Sequence, residues 1–525
     1  MFKRYALLLL VMVTVLFSSC EKEELTSISW NKTSIETGDT FSFEGVNYAI
    51  SSLSDRTVEV CQSGNYAGSS LQLKAKFKIF DQTFTVTSIA DLAFSWNTHL
   101  NSVFIPKTIT SIGDDAFSYS TGITSVTFEK MENITHMGAS ALSTPWLISW
   151  LESQPMGVVY FGKCLYCYKG VAPANTTILV KEGTTQIVNL SSPHITSVTI
   201  PASVKEIGNS AFASSGLTSI TLPDNIESVG SYLFEHCVNL VSVSLSKKIN
   251  TISEGMFDSC CNITSIDIPS TITVISNNAF RNCTKLTTVN FHPGLTSLGI
   301  GAFKGCVGLT SVTLPETISN IGQEAFRDCT GLANINIPSG TTGIGAMAFA
   351  YCNKLTSITI PGTVLSVGMW SFYQCTGLKT LVVQEGTRLI DECAFGGCSN
   401  LTTLTLADTV YEIGMNAFQG CSSLTTVMLP KNLKEIKEDC FADCRHLTSI
   451  TIKEVVSKIK ANAFLGCTAL SKIKCTRYLP PVVSDNVFAD VNKETCILEV
   501  LVGRKMDYAT SSSWGMFKNI NEVSM

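Results

Sequence analysis

The sequence predicts a β-rich solenoid, a coil of 23-residue units whose parallel strands stack on one another. Two observations carry this prediction. Eleven cysteines recur at an unbroken interval of 23 residues, from Cys237 to Cys467. A phenylalanine stands three residues before each of these cysteines, and an aliphatic residue stands three residues after it. The period therefore belongs to a whole structural unit, and not to cysteine alone.

The first residues have the form of a secretory signal. A basic head, Lys3-Arg4, precedes an apolar stretch over residues 5–17 that is too short to span a bilayer comfortably. Residues 16–20 resemble a bacterial lipobox, in which cleavage leaves an acylated cysteine as the first residue of the mature protein. We therefore expect a signal peptide over residues 1–19 and a lipid on Cys20.

The residues behind Cys20 are expected to form a tether over positions 20–25. Residues 21–24, Glu-Lys-Glu-Glu, resemble the export signal that sends Bacteroidetes lipoproteins to the outer face of the outer membrane, although a solvated tether would look much the same. Acyl chains would then be the protein's membrane contact. An ordinary cleaved signal that ends near Ser19 is the alternative.

Composition narrows the classes of partner. Charged residues make up 15% of the chain, and the net charge is −5 over 525 residues with no polybasic tract. Such a weak field gives no reason to expect nucleic acid or anionic lipid as a ligand.

Each repeat unit begins with a short strand. The pattern Leu-x-x-Ile-x-Ile alternates with period two and is rich in β-branched residues, which predicts β structure. The proline that follows cannot donate to a strand ladder, so it ends the strand and turns the chain. Glycine then supplies a second bend where a side chain would obstruct the coil. Ala-Phe returns the chain inward, with the ring as the largest core contribution.

This pattern resembles the BspA-like, or Treponema pallidum-type, leucine-rich repeat over about residues 85–478. Leu309 to Cys329 is a representative unit. Fifteen phenylalanines match the repeat: Phe94, Phe117, Phe212, Phe234, Phe257, Phe280, Phe303, Phe326, Phe349, Phe372, Phe395, Phe418, Phe441, Phe464 and Phe488. The resemblance implies a right-handed leucine-rich-repeat coil over residues 86–478. It also implies a role in adhesion or recognition towards host matrix proteins, other bacteria or glycans.

The repeat register breaks in one region. The segment from about residue 146 to residue 194 is aromatic-rich and irregular. Within it, the pattern of residues 158–170 predicts a hairpin that turns at Gly162-Lys163. A solenoid exposes apolar edges at its ends unless caps cover them. Residues 26–85 are predicted as a β-rich N-terminal cap, and residues 479–525 as an aromatic C-terminal cap.

The cysteine column invites two chemical interpretations, disulfides and metal binding. Adjacent coils stack at about 4.8 Å, and side chains in one column point the same way, which leaves Cβ atoms farther apart than the roughly 3.8 Å of a disulfide. A tetrahedral metal site does not fit a straight row either. Asn97 and Ser120 occupy the same position in early repeats. We therefore predict a small buried side chain with a donor that faces the turn.

Other candidate chemistry is weak. Cys164 and Cys167 have the spacing of a redox pair, but they lie in an alternating strand pattern and not at a helix start, so packing is favoured. The six histidines are scattered singly, and no hydrolase, phosphate-loop or dinucleotide motif is present. We expect no enzymatic activity, no catalytic residues, no metal and no cofactor.

What remains is the surface of the strands. The outward residue between the two aliphatic residues of each strand forms a neutral, hydroxyl-rich row, which in leucine-rich repeats would line the concave side. Its central part, here named the strand stripe, is the predicted binding face for an unknown protein or glycan: Thr313, Asn336, Thr359, Val382, Thr405 and Met428. We predict an adhesion or recognition lipoprotein of the outer membrane. A non-adhesive structural or glycan-handling accessory protein is the alternative.

Replacing Cys20 with alanine should release the protein from the membrane, because the acylated cysteine is the hydrophobic tether that the sequence predicts. Fractionation of cells after a high-salt wash measures this release. A variant that stays in the membrane fraction would show that the lipoprotein assignment is wrong.

Overall fold

A computed structural model describes residues 25–29, 32, 34–63 and 66–524. The chain divides into two compact units. The first unit runs to Gly170 and also takes in Thr184–Val188. The second unit holds Val171–Gly183 and the chain from Asn189 onward. Each unit is described by itself below.

The first unit begins with a mixed β-sheet around an aromatic core. Six of its strands are Thr26–Ile28, Thr40–Phe43, Val46–Ser52, Thr57–Val60, Lys76–Ile79 and Gln82–Ile89. The short strand Ser70–Gln72 pairs instead with Ser102–Ile105. Tyr48, Phe77 and Phe84 are buried inside the sheet, and the Tyr48 and Phe77 rings meet edge to face at 4.7 Å. This sheet lies where the sequence predicts a β-rich N-terminal cap.

Repeat coils and an insertion complete the first unit. Their strands are Ser102–Ile105, Ser111–Ile112, Ser125–Phe128, His136–Met137, Gly157–Phe161, Cys164–Lys169 and Gln186–Ile187, with a 3₁₀ turn at Met131–Asn133. The predicted hairpin is confirmed, because Phe161 pairs with Cys164 across the turn at Gly162-Lys163. The sequence did not predict the α-helix Pro145–Ser153. Thr144 caps this helix by accepting from the Leu147 N–H.

The second unit is built on a parallel column of short strands, here named the first ladder. Its strands are Thr176–Leu179, Ile195–Thr199, Ser219–Thr221, Ser242–Ser244, Ser265–Asp267, Thr288–Asn290, Ser311–Val312, Asn334–Ile335, Ser357–Ile360, Thr380–Val383, Thr403–Thr405, Thr426–Met428, Ser449–Ile452, Lys472–Cys475, Ile497–Leu501 and Asn519–Val523. Ser357 pairs with Thr380, a step of one repeat. The predicted strand at the start of each 23-residue repeat is confirmed.

Each coil also contains a second strand that the sequence did not predict. This second ladder consists of two-residue strands: Glu206–Ile207, Ser228–Val229, Thr251–Ile252, Val274–Ile275, Ser297–Leu298, Asn320–Ile321, Gly343–Ile344, Ser366–Val367, Leu389–Ile390, Glu412–Ile413, Glu435–Ile436, Lys458–Ile459 and Val482–Val483. One residue of nearly every pair is buried. The close approach of coils here explains the repeat glycine, since a Cβ on Gly345 would lie 2.4 Å from the Gln323 nitrogen.

A third backbone ladder runs along the turns around the repeat phenylalanines, here named the turn ladder. In one coil, the N–H groups of Asn278, Phe280 and Asn282 donate to carbonyls of the next coil at 2.7–2.8 Å. The residues two before and two after the phenylalanine are left-handed, with φ of 54° at Asn278 and 58° at Asn282. Glycine, asparagine, aspartate or serine fills most of these positions, because a left-handed backbone suits such residues best.

The phenylalanines form one continuous stack in the core of the second unit. From Phe212 to Phe488, neighbouring ring centroids lie 5.0–5.8 Å apart and the planes differ by at most 17°. At the end of the stack, Trp514 and Phe517 close over Phe488 edge to face at 5.2 and 5.3 Å. The last coil also holds the α-helix Lys505–Ala509 and a 3₁₀ turn at Trp514–Met516.

The cysteine column is structural, as the sequence analysis predicts. All eleven side chains are buried, and each thiol donates to a phenylalanine carbonyl of the preceding coil at 3.0–3.5 Å. That carbonyl already accepts an N–H of its own coil, from Ser215 at Phe212 and from a cysteine at the other ten, so the thiol satisfies its second lone pair. Ser120 does the same in the first unit, donating to the Phe94 carbonyl at 2.6 Å.

Replacing Phe303 with alanine should destabilise the protein by about 3–5 kcal/mol, because it removes one fully buried ring from the middle of the stack. Coupling between coils should spread the loss. Val307→Ala, at a side chain in the same coil that is 42% exposed, should change the free energy of unfolding by less than about 0.5 kcal/mol. Urea denaturation compares the two. Equal curves would contradict the assignment of the ring to the core.

The buried thiols should make the protein less stable at alkaline pH. Burial raises the pKa of Cys329 and of Cys375 to about 12, whereas a thiol in an unfolded chain ionises near about 8.5. The stability that the neutral thiols contribute is fully present below the unfolded pKa and is lost as the pH rises through the folded pKa. Urea denaturation in reducing buffer should therefore show a falling free energy of unfolding from about pH 8 to about pH 10.5.

A serine variant provides the control for this pH dependence. Cys329→Ser keeps a donor for the Phe303 carbonyl, which the thiol meets at 3.1 Å, but its hydroxyl does not ionise in this range. The decline in stability with pH should be shallower in the variant. An identical slope would mean that the buried thiols do not cause the alkaline loss.

Candidate functional site

The predicted anchor lies outside the described residues. Neither Cys20 nor the signal peptide over residues 1–19 falls within the part of the chain that the structure describes. Within that part, none of the helices combines the length and the apolar character needed to cross a membrane.

Cys164 and Cys167 do not form a reactive pair. They stand three residues apart on the strand Cys164–Lys169, and a β-bulge interrupts the strand between Leu165 and Cys167. Cys164 is buried, and burial raises the pKa of the half-buried Cys167 thiol. A reactive thiol needs a lowered pKa, so these positions serve packing.

Two histidines of the second unit bond to backbone carbonyls. The ring Nδ1 of His194 donates to the Ala172 carbonyl at 2.6 Å, and that of His446 donates to the Ser422 carbonyl at 2.7 Å. Over the described ranges, no group of three or more His, Cys, Asp or Glu side chains is arranged to hold a metal ion.

The strand stripe lies on the outer face of the first ladder. Thr313, Thr359 and Thr405 are exposed, and Met428 is 68% exposed. Their neighbours along each strand point inward, so the stripe alternates with core residues as a β-strand requires. The structure thus brings the predicted residues into one column of the second unit.

Two members of the strand stripe differ from the others. Val382 is half-buried. Asn336 uses its side chain to bond the preceding coil: its Oδ1 accepts from the Leu314 N–H at 2.7 Å, and its Nδ2 donates to the Leu314 carbonyl at 3.0 Å. This amide replaces a backbone pairing of the ladder, so it is already engaged in holding two coils together.

A second surface feature, here named the outer aromatic cluster, lies on the turn ladder of the second unit. Its members are Arg327, Met347, Tyr351, Trp370 and Tyr373. Trp370 and Tyr373 have ring centroids 4.5 Å apart, and Tyr373 meets Tyr351 edge to face at 5.8 Å. The Arg327 guanidinium lies 5.9 Å from the centre of the Tyr351 ring and 3.5 Å from the Met347 sulfur. All five side chains are half-buried, so the cluster is connected and still reaches solvent.

Three members of this cluster occupy strained backbone positions. Met347, Tyr351 and Trp370 have φ of 56°, 64° and 60°, and a left-handed backbone costs a bulky residue roughly 1–2 kcal/mol. The equivalent positions in most other coils hold residues that tolerate this conformation. Strain of this kind persists at sites where the side chain is needed for more than the fold. These residues were not predicted as a cluster from the sequence, although the turns aligned on the repeat phenylalanines show them as exceptions.

A groove of about 650 Å³ runs along the second ladder of the second unit. Serine, threonine and asparagine side chains line it together with Glu227 and Glu254. Lys248 and Lys205 hold the pKa of the Glu227 carboxyl below its usual value, and the Tyr232 hydroxyl donates to Glu254 at 2.8 Å. Both carboxylates are thus already paired with neighbouring side chains, as charges in structural networks are.

Several solved structures are similar to this chain. A leucine-rich repeat protein from Bacteroides ovatus is 24% identical, with 88% of this chain and 99% of that chain covered and a TM-score of 0.48. A leucine rich cell surface protein from Faecalibacterium prausnitzii is 22% identical, with coverage of 66% and 96% and a TM-score of 0.32. The leucine-rich repeat protein of Treponema pallidum is 20% identical, with coverage of 49% and 86% and a TM-score of 0.21.

Among curated proteins, none matches this chain. The family model of the BspA type leucine-rich repeat region, which contains six copies of the repeat, matches residues 63–150, 190–309, 296–410 and 388–503. These segments make up well over half of the chain, and they contain both the phenylalanine stack and the cysteine column. The protein belongs to the BspA type leucine-rich repeat family.

Proposed function

We propose that this protein is a lipid-anchored recognition scaffold on the outer surface of a Gram-negative cell, where it binds a protein of the host or of another bacterium. Proteins of the leucine-rich repeat class generally act by binding other molecules. The anchor of this proposal is the predicted lipid on Cys20, and its binding face is the strand stripe. No step of the proposal requires catalysis.

The proposal rests on one observation: each strand separates its solvent-facing residues from its core residues. Around Thr359, the flanking residues Ile358 and Ile360 are 3% and 0% exposed, whereas Thr359 itself faces solvent. The phenylalanine stack and three backbone ladders fix each coil, so the outward side chains can vary without disturbing the fold. A long, rigid surface of this kind suits binding of a large partner, because little order is lost when it docks.

The outer aromatic cluster favours a protein as the partner. Tryptophan, tyrosine, arginine and methionine are enriched in protein interfaces, and the first three dominate their binding energy. A second candidate function, a glycan-handling accessory protein, is favoured by the uncharged, hydroxyl-rich character of the strand stripe. The two candidates differ in the ligand that the stripe should bind.

Replacing Thr359 and Thr405 with aspartate should sharply weaken ligand binding and leave folding nearly intact. Both side chains are exposed, so each change should alter the free energy of unfolding by less than about 0.5 kcal/mol. A partner that docks on the stripe would have to desolvate two new carboxylates. Binding of the parent and the variant to an array of matrix proteins, bacterial surface proteins and glycans measures the effect.

Two further variants show where recognition occurs. Asn320→Asp with Gln323→Glu adds the same charge at exposed residues of the second-ladder side, and it should leave binding unchanged. Tyr351→Gly with Trp370→Asn removes two rings of the outer aromatic cluster at positions where the new residues suit the backbone. Binding that is lost only in this last variant would assign recognition to the cluster and contradict the role of the strand stripe.

A further inference from the structure

The first unit exposes a pair of stacked aromatic rings that its fold does not require. Trp96 is 69% exposed and Tyr119 is 57% exposed, and they lie in neighbouring repeat coils. Their ring centroids are 4.1 Å apart and the planes differ by 12°. Beneath them, the core rings Phe94 and Phe117 stack at 5.3 Å and hold the two coils in register. The outer pair therefore forms a fixed, solvent-facing aromatic surface.

Both residues also have an unfavourable backbone conformation. Trp96 and Tyr119 have φ of 62° and 59°, the left-handed region that suits glycine and asparagine and disfavours large side chains. The equivalent turn position holds Gly305 and Gly466 in coils of the second unit. Glycine at either aromatic position would relieve strain and remove exposed apolar surface. Stability of the fold therefore does not explain the pair, and strain at an exposed side chain points to a ligand.

The size of the pair fits a small ligand group better than a protein. An aromatic side chain has about 150–250 Å² of surface, so two rings at this exposure offer roughly 300 Å². A stable protein interface takes about 800 Å² from each partner. One sugar ring, by contrast, can be covered by the outer face of one aromatic ring, since the two rings cover each other's inner faces. The exposed polar residues Thr98, His99 and Thr121 follow in the same two turns and can supply hydrogen bonds.

The charges around the pair argue against an ionic ligand. Lys107 is the one lysine or arginine between residues 91 and 122, and it pairs with Glu129 at 3.1 Å. The Asp91 and Asp114 carboxylates accept from backbone N–H groups at 2.7 and 2.6 Å. A cage for a cation needs rings set at angles around the charge, whereas these two rings are nearly parallel.

We propose that Trp96 and Tyr119 form a stacking platform for a neutral pyranose ring, so that the first unit carries a glycan-binding site. The C–H bonds of a pyranose carry partial positive charge, which the negative face of an aromatic ring attracts. This site is separate from the strand stripe of the second unit and does not depend on the function proposed for it. The platform would bind a terminal or accessible sugar of a larger neutral glycan.

The test uses variants that improve the backbone fit while removing the rings. The full chain, the Trp96→Gly variant and the Tyr119→Asn variant are screened on an array of neutral glycans, and hits are measured by calorimetry. Each variant should lose at least about tenfold in affinity and keep an unchanged or raised Tm, because each new residue suits the left-handed backbone. Leu92→Asn is the matched control, since Leu92 is an exposed, left-handed apolar residue outside the platform. It should leave binding unchanged.

Three results would overturn the proposal. The parent chain could bind no neutral glycan on the array. Both ring variants could keep the parent affinity, with or without a lower Tm, which would show that the rings serve packing alone. Finally, the ring variants could lose a peptide or cationic ligand while the parent binds no glycan, which would assign the rings to another class of partner.

Discussion

Adjacent coils of the second unit must keep the same spacing on all sides, because backbone N–H groups on three sides of each coil donate to the adjacent coil. This constraint fixes the 23-residue period. It also explains why the same residue type recurs at each position of the core. A larger ring would push one side of its coil away from the neighbouring coil and strain the hydrogen bonds there, whereas a smaller ring would leave a cavity. The phenylalanine stack is the clearest product of this requirement.

The cysteines follow from the same constraint. In the turn ladder, the phenylalanine carbonyl accepts one backbone N–H from its own coil, and the backbone of the next coil supplies no donor for its second lone pair. A small side chain with its own hydrogen therefore has to reach that carbonyl from the following coil, and a thiol fits there without breaking the apolar core. Ser120 shows that the requirement is for a donor and not for sulfur. The column resembles a metal-binding or disulfide site, but its role is to complete the hydrogen bonding of the backbone carbonyls.

The sequence predicted what depends on side-chain period and missed what depends on backbone conformation. The first strand, the phenylalanine stack, the hairpin at Gly162-Lys163 and the buried donor column were all visible, because each leaves a repeated or alternating pattern. The second ladder was not, since strands of two residues are too short for alternation to register. The turn ladder was missed because left-handed turns are compatible with several residue types. The helix at Pro145–Ser153 had a signal in Thr144-Pro145, which the aromatic residues around it obscured.

The turn ladder gives the second unit a net dipole along the direction in which its coils stack. Its backbone donors all face the following coil and its acceptors all face the preceding one, whereas a parallel β-ladder presents both kinds to each side. Peptide dipoles aligned in this way add up, as they do in an α-helix. In the last coil, the N–H groups of Asn486, Phe488 and Asp490 meet no backbone acceptor within the described chain, so this end carries partial positive charge. The exposed residues Asp485 and Asp490 lie in that coil, and negative charge there is favourable, much as it is in the first turn of a helix.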